Sequence, residues 1–436
     1  MAREVIWLSI LITSYFYCLP LGRFSLGNFL TDFRIFDFAI IAFWLFNWKY
    51  LSGRVGFIYR QKKFSPSVLK ILIIIVLVSI IFNITYRGLG YLGPTLIRAF
   101  RFVAYLSTLV AVIAIVSDRK RFKFIFYVFF FNILLQATLA FFQSIGALEH
   151  FWPLYWREMY AFNDAPVATL SPHHKHIGVV MLMGLALSLA MVQFSRNVFN
   201  RIFYSIAALL TLLIPLFSGT RTFLLGVAGL VLGLLYMTKT RFIPLIIFLS
   251  IGFFIAFVNL SDEIKDAAVG RITEKYEDRI VREYEVGGIA ELASERTIIY
   301  ESIFRAISDF PLLLVTGAGF QAGTVFVFGN GAHNNFLQFL LETGLIGLFF
   351  FLSFLYRTSG NLMEARSKLP YRFERTIAEF SWIGFVGLFF TMFVGETLYA
   401  QPSMFTLAGQ IMIFLGLGLA PYFWQTIRVN GVPVYR

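Results

Sequence analysis

Apolar residues in this chain come in blocks of roughly 14–23, most of them near the ~20 residues an α-helix needs to cross a bilayer. Twelve such spans can be drawn, at about 4–21, 35–48, 68–84, 97–116, 124–145, 176–194, 202–217, 222–238, 242–259, 334–356, 378–396 and 403–424. The pattern predicts an all-α polytopic membrane protein, with residues 1–436 forming one integral membrane domain. The first block begins directly after Met1–Ala2–Arg3–Glu4 and has no small-residue cleavage site, so it reads as a retained span and not a signal peptide.

Composition sharpens this picture. Of the 436 residues, 58% are hydrophobic and only 14% charged, and mean hydropathy is +0.75, which excludes an ordinary soluble domain. A net charge of +13 would suit nucleic acid, but the cations sit between apolar blocks. Starting the N-terminus in the cytoplasm puts most of them inside. Lys49, Arg54, Arg60, Lys62 and Lys63 form one group, Arg119, Lys120, Arg121 and Lys123 a second, and Arg357, Arg366, Lys368, Arg372 and Arg375 a third. That bias orients the chain N-in and C-in, with membrane lipid rather than nucleic acid as its surroundings. The lone Cys18 excludes an internal disulfide.

Two outside segments are too long to be turns. Gly146–Lys175 carries Trp152 and Trp156 and is suited to lie at the membrane interface. The stretch from about 260 to 333, between spans nine and ten, is hydrophilic. In it Ile264, Ala268, Ile272, Tyr276, Ile280 and Tyr284 recur every four residues, predicting a helical loop that lies over the outer face. Ser294 is a candidate cap for a further helix ending before Pro311. No Walker-type loop, dinucleotide fingerprint or serine-nucleophile elbow is present.

Candidate chemistry gathers on that outer side. Gly331–Ala332–His333–Asn334–Asn335 opens the tenth span, and helical spacing puts Asn335, Gln338 and Glu342 on one face with His333 roughly opposite. Polar groups on two faces need protein or water on both sides, because lipid would leave them unsatisfied. Arg221, after Ser218–Gly219–Thr220, starts the eighth span, and Arg296 repeats the arrangement after Ser294. A guanidinium at a helix N-terminus suits a phosphate, since its fork and the helix dipole act together. Arg98 and Arg101, one turn apart, either add to that field or neutralise Asp37. Pro172–His173–His174–Lys175–His176 has no interleaved carboxylate or cysteine at ligand spacing, so it reads as a polar edge of the site and not a metal centre.

Taken in order, Ser218–Gly219–Thr220–Arg221, Ser294–Glu295–Arg296, Pro311…Gly317–Ala318–Gly319 and His333–Asn334–Asn335…Glu342–Thr343–Gly344 resemble the O-antigen ligase/polymerase family of bacterial envelope enzymes. The resemblance implies a helical fold similar to the GT-C class of lipid-linked sugar transferases, in the bacterial inner membrane with its site facing the periplasm. It implies transfer of a glycan from an undecaprenyl-diphosphate carrier to an acceptor hydroxyl, on lipid A–core or another glycan, with inversion and without nucleotide sugar, metal or cofactor. By that likeness Arg221 and Arg296 hold the diphosphate and His333 orients or deprotonates the acceptor. Arg98, Arg101, His176, Asn334, Asn335 and Glu342 are the candidate substrate-binding residues around them. A polymerase would share donor and site. A transporter or flippase for a polar lipid is the reading from another class, and it should show repeated halves, which the sequence lacks.

Overall fold

A computed structural model describes residues 2–26, 29–152, 165–171, 173–218, 220–238, 294–321, 332–395, 397–398 and 405–429. Its helices are α1 (Arg3–Phe16), α2 (Ile35–Arg60), α3 (Ser65–Arg87), α4 (Leu92–Ile115), α5 (Arg119–Ser144), α6 (His174–Phe194) and α7 (Val198–Phe217). They continue with α8 (Arg221–Thr238), α9 (Ser294–Asp309), α10 (Leu313–Thr316), α11 (Asn335–Lys368), α12 (Arg372–Thr391) and α13 (Phe405–Val429). Eleven of the twelve expected spans fall on these helices; the ninth, 242–259, and the apolar stripe of 264–284 lie outside the described residues.

Seven described helices (α3 to α7, α11 and α13) are long and apolar enough to cross a membrane, and α8 is a shorter apolar helix. The chain is thus an all-helical, multi-pass membrane protein. Three expected spans are less simple than the sequence suggested. Helix α1 stops at Phe16, where the chain enters an antiparallel hairpin of β1 (Pro20–Leu26) and β2 (Phe29–Arg34). Helix α2 runs on past its apolar part to Arg60. Helix α12 starts among Arg372, Glu374 and Arg375, ahead of its apolar stretch.

Helix α13 is wholly enclosed by the others, and α8 lies along α12. Gly226, Gly229 and Gly233 form the seam: a Cβ at Gly229 would come within 2.7 Å of Phe390, and one at Gly226 within 2.6 Å of Leu182 on α6. Without a hydrophobic drive between helices in lipid, such small-residue faces bring backbones close enough for dispersion to hold them.

A buried ion pair braces the start of α2 against α4. Arg101 donates to Asp37 twice, at 2.8 and 2.7 Å, and Asp37 also accepts from the Arg34 backbone N–H at 3.0 Å. Of the two roles open to Arg101, neutralising Asp37 is the one its fork performs. Asp37→Ala is expected to strand Arg101 in the interior at a cost of ~3–5 kcal/mol, read as a lower thermal midpoint in detergent; Asp37→Asn should cost less. Trp152, expected at the membrane interface, is instead buried against Cys18 and Val167. Its indole N–H donates to the Leu170 carbonyl, a partner a buried indole needs.

Candidate functional site

The site is organised by the start of α11. Asn334 caps it, its side chain accepting from the N–H groups of Phe336 (2.9 Å) and Leu337 (3.1 Å), which satisfies two orphan donors of the first turn. Its amide also donates to the Phe393 carbonyl at 3.1 Å. Asn335 is buried, donating from its backbone to Met392 and from its side chain to Thr397. The C-terminal end of α12 therefore straps α11 in place. His333, just before the cap, has φ 50°, a left-handed backbone that a histidine adopts more readily than most residues. Both asparagines thus also hold this architecture together.

Glu342 anchors a second layer. It is fully buried, accepts from the Gln321 backbone N–H at 2.9 Å and takes the Gln338 amide on its other oxygen. Gln338 in turn accepts from the Ala332 N–H at 2.7 Å, one residue before His333. Gln321, at φ 65°, accepts from Arg98 at 3.0 Å. A chain of hydrogen bonds thus runs from Arg98 through Gln321, Glu342 and Gln338 to the backbone beside His333. Buried polar groups bonded in series fix one geometry, because breaking any link leaves an orphan in a low-dielectric interior.

The segment from Pro311 is held by a break in α11. Gly344 leaves helical geometry (φ 66°), and the carbonyls of Leu341 and Glu342 accept from Ala318 and Gly319 at 2.8 and 2.9 Å. Gly317–Ala318–Gly319 is therefore a clamp on the helix carrying Glu342. Helix α9 lies over the same region, with Ile299 and Ile303 packed against Ala332 and Leu341. Arg296, one turn ahead of Tyr300, heads that helix.

Arg221 starts α8 nearby. Thr220 is buried and packs on α6, where a Cβ at Gly178 would meet its methyl at 2.5 Å, and Thr222 lies beside Gly395 in the turn after α12 that also holds Asn334. The guanidinium groups of Arg221 and Arg296 lie outside the described part, but the start of α8 lies with that of α11 against the turn after α12, and α9 packs beside the start of α11 through Ile299 and Ile303. The start of α6 joins them: Lys175 Nζ is 3.4 Å from His333 Nδ1. Converging helix N-termini add positive potential at that end of the bundle, which favours an anion.

The histidine cluster divides. His173 caps α6, accepting from the Lys175 N–H at 3.2 Å, and burial, reinforced by Lys175, His333 and His176, pushes its pKa down to about 3. It is neutral at pH 7. His176 is fully buried and bonded to Gln410 of α13 at 2.8 Å. Gln410 donates its amide to the Tyr15 carbonyl, so its oxygen faces His176, which makes His176 the donor. This points His176 into the bundle. Among the described residues no group of three or more His, Cys, Asp or Glu is placed to hold a metal. The contributions of Lys175, Gln338 and Gln321 were not singled out from sequence as roles of their own; a charged or amide residue within a turn of an expected site residue was the available signal.

The fold and this rim define a multi-pass membrane protein with helix starts gathered around a histidine. Residues 206–352, about a third of the chain, match the family model described as O-antigen ligase, and the matched stretch contains Arg221, Arg296, His333 and the Gly344 break. In that segment the chain is similar to the O-antigen ligase family of glycosyltransferase-like enzymes. No curated protein matches the chain.

Proposed function

We propose that the protein transfers a glycan from an undecaprenyl-diphosphate carrier to an acceptor hydroxyl on the extracytoplasmic side of the bacterial inner membrane, as an O-antigen ligase. The observation that carries this reading is the meeting of the α6, α8 and α11 starts beside His333, with α9 packed against Ala332 and Leu341. Arg221 and Arg296, at the heads of α8 and α9, hold the diphosphate and stabilise the charge that builds on it as the sugar departs with inversion. His333 serves the reacting end of this cradle. A diphosphate is already a good leaving group, so positioning and fixed positive charge are what the protein has to supply. Arg98 and Glu342 act one step back, holding the His333 segment rigid. The cationic loops support an orientation with the opposite end of the bundle in the cytoplasm.

Deleting the gene and resolving surface and lipid-linked glycans on gels tests the reading. Finished polymer retained on its lipid carrier is the expected result. Single repeat units in its place would identify a polymerase working through the same site, and loss of all externalised glycan would make the protein a transporter. Transfer by the purified protein is expected to survive EDTA, and a metal-restored loss would assign the metal-independent step wrongly.

A further inference from the structure

Lys175 stands in the first turn of α6 with Nζ 3.4 Å from His333 Nδ1. A cation there opposes the helix dipole, so the position is a poor one for stability and a good one for holding negative charge. An ammonium has three donors and no lone pair. Toward an imidazole nitrogen it can only donate, which leaves Nδ1 as the acceptor and puts the ring's one proton on Nε2. His173 shows the same tautomer by a different route, its Nδ1 accepting from the Lys175 backbone.

We infer that Lys175 is a positioning residue that fixes His333 as a neutral Nε2–H donor, and that this N–H serves the departing diphosphate oxygens instead of removing the acceptor's proton. The inference rests on the proposed transfer reaction and deepens it. The bond from the anomeric carbon to the diphosphate oxygen breaks, and its electron pair leaves with the diphosphate. A lone pair of the acceptor oxygen forms the new carbon–oxygen bond, and the hydroxyl proton passes to water at the rim. With so good a leaving group, the carbon–oxygen bond forms ahead of proton loss, when the attacking oxygen is acidic enough for water to suffice. No protein base is required.

The full-length protein, purified and assayed with a lipid-diphosphate-linked glycan, distinguishes the roles. His333→Ala is expected to lose about 100-fold in kcat, the effect of removing one transition-state donor. His333→Gln should stay within about tenfold of wild type, because an amide N–H donates but cannot take a proton. Lys175→Met should lower kcat with donor KM unchanged, and Lys175→Gln, which still donates to Nδ1, should recover most of the loss. His333→Gln as inactive as His333→Ala would restore the base and overturn the inference, as would Lys175→Met raising donor KM at constant kcat, the mark of a phosphate ligand. Absence of transfer by the wild-type protein strikes the reaction itself, whereas a wrong pattern among active variants strikes only the role of Lys175. Independently of any variant, 15N spectra of histidine- and lysine-labelled protein should correlate Lys175 Nζ with a bare Nδ1; a protonated Nδ1 at that correlation would also overturn it.

Discussion

Arg221→Ala is expected to lower glycan transfer by at least 10²–10³-fold in kcat while the protein inserts and melts as wild type does. The size follows from where the residue begins. Helix α8 has no acidic residue in its first turn to offset its dipole. Its start is pinned on two sides, by Thr220 against α6 and by Thr222 beside the turn after α12. A guanidinium on such a fixed point spends little entropy in meeting an anion, and its planar fork donates in pairs to phosphate oxygens. Folding should be spared because the seam that holds α8 on α12 runs through Gly226, Gly229 and Gly233, well past the first residue. Arg221→Lys should recover little, since a point charge replaces the fork. Arg296→Ala should behave alike from the head of α9. Normal polymer in cells carrying either alanine variant, at wild-type protein levels, would remove the phosphate-holding role.

What the sequence made legible were features that repeat along the chain or announce themselves by cost. Bilayer-length apolar blocks located the helices, because a spanning backbone must bond internally. Glu342 and the Arg221 and His333 neighbourhoods stood out because charge and amides are expensive beside such blocks. What stayed hidden depends on contacts between distant segments. The spacing that put Asn335, Gln338 and Glu342 on one face could not show that Asn335 bonds Thr397, that Gln338 accepts from the Ala332 N–H or that Glu342 accepts from the Gln321 N–H. The choice of Arg101 for Asp37 was open because 64 residues separate them. Lys175 read as one member of a histidine-rich string until α6 and α11 were brought together. The β1–β2 hairpin escaped because its residues alternate too little, over too short a run, to separate a strand from the tail of the first span. The Gly344 break was not legible within an apolar block, since isolated glycines such as Gly344 and Gly347 in such a run are ordinarily tolerated.

That break supplies the other large effect. Gly319→Ala is expected to lower the thermal midpoint sharply and to take transfer with it. Gly319 sits at φ 93°, and an added Cβ would fall 2.2 Å from the Asn83 nitrogen and 2.4 Å from the Ser79 carbonyl oxygen, both backbone atoms of α3. Neither can swing aside as a flexible side chain would. The left-handed backbone alone costs a non-glycine residue ~1–3 kcal/mol, and relieving the clash means lifting the turn off α3. That movement would break the Phe320 bonds to Ser79 (3.0 Å) and Asn83 (2.6 Å), then the Gly319 bond to the Glu342 carbonyl. Gln321 would follow, releasing Glu342 and the brace that ends at Ala332. Gly360→Ala, in α11, provides the control, because nothing lies within 4 Å of the added carbon and alanine favours a helix interior by ~1 kcal/mol. It should melt at or above wild type and transfer normally. A Gly319→Ala protein that matched it on both counts would mean that His333 is held by α12 alone, and that the clamp between α3 and the α11 break is dispensable to the site.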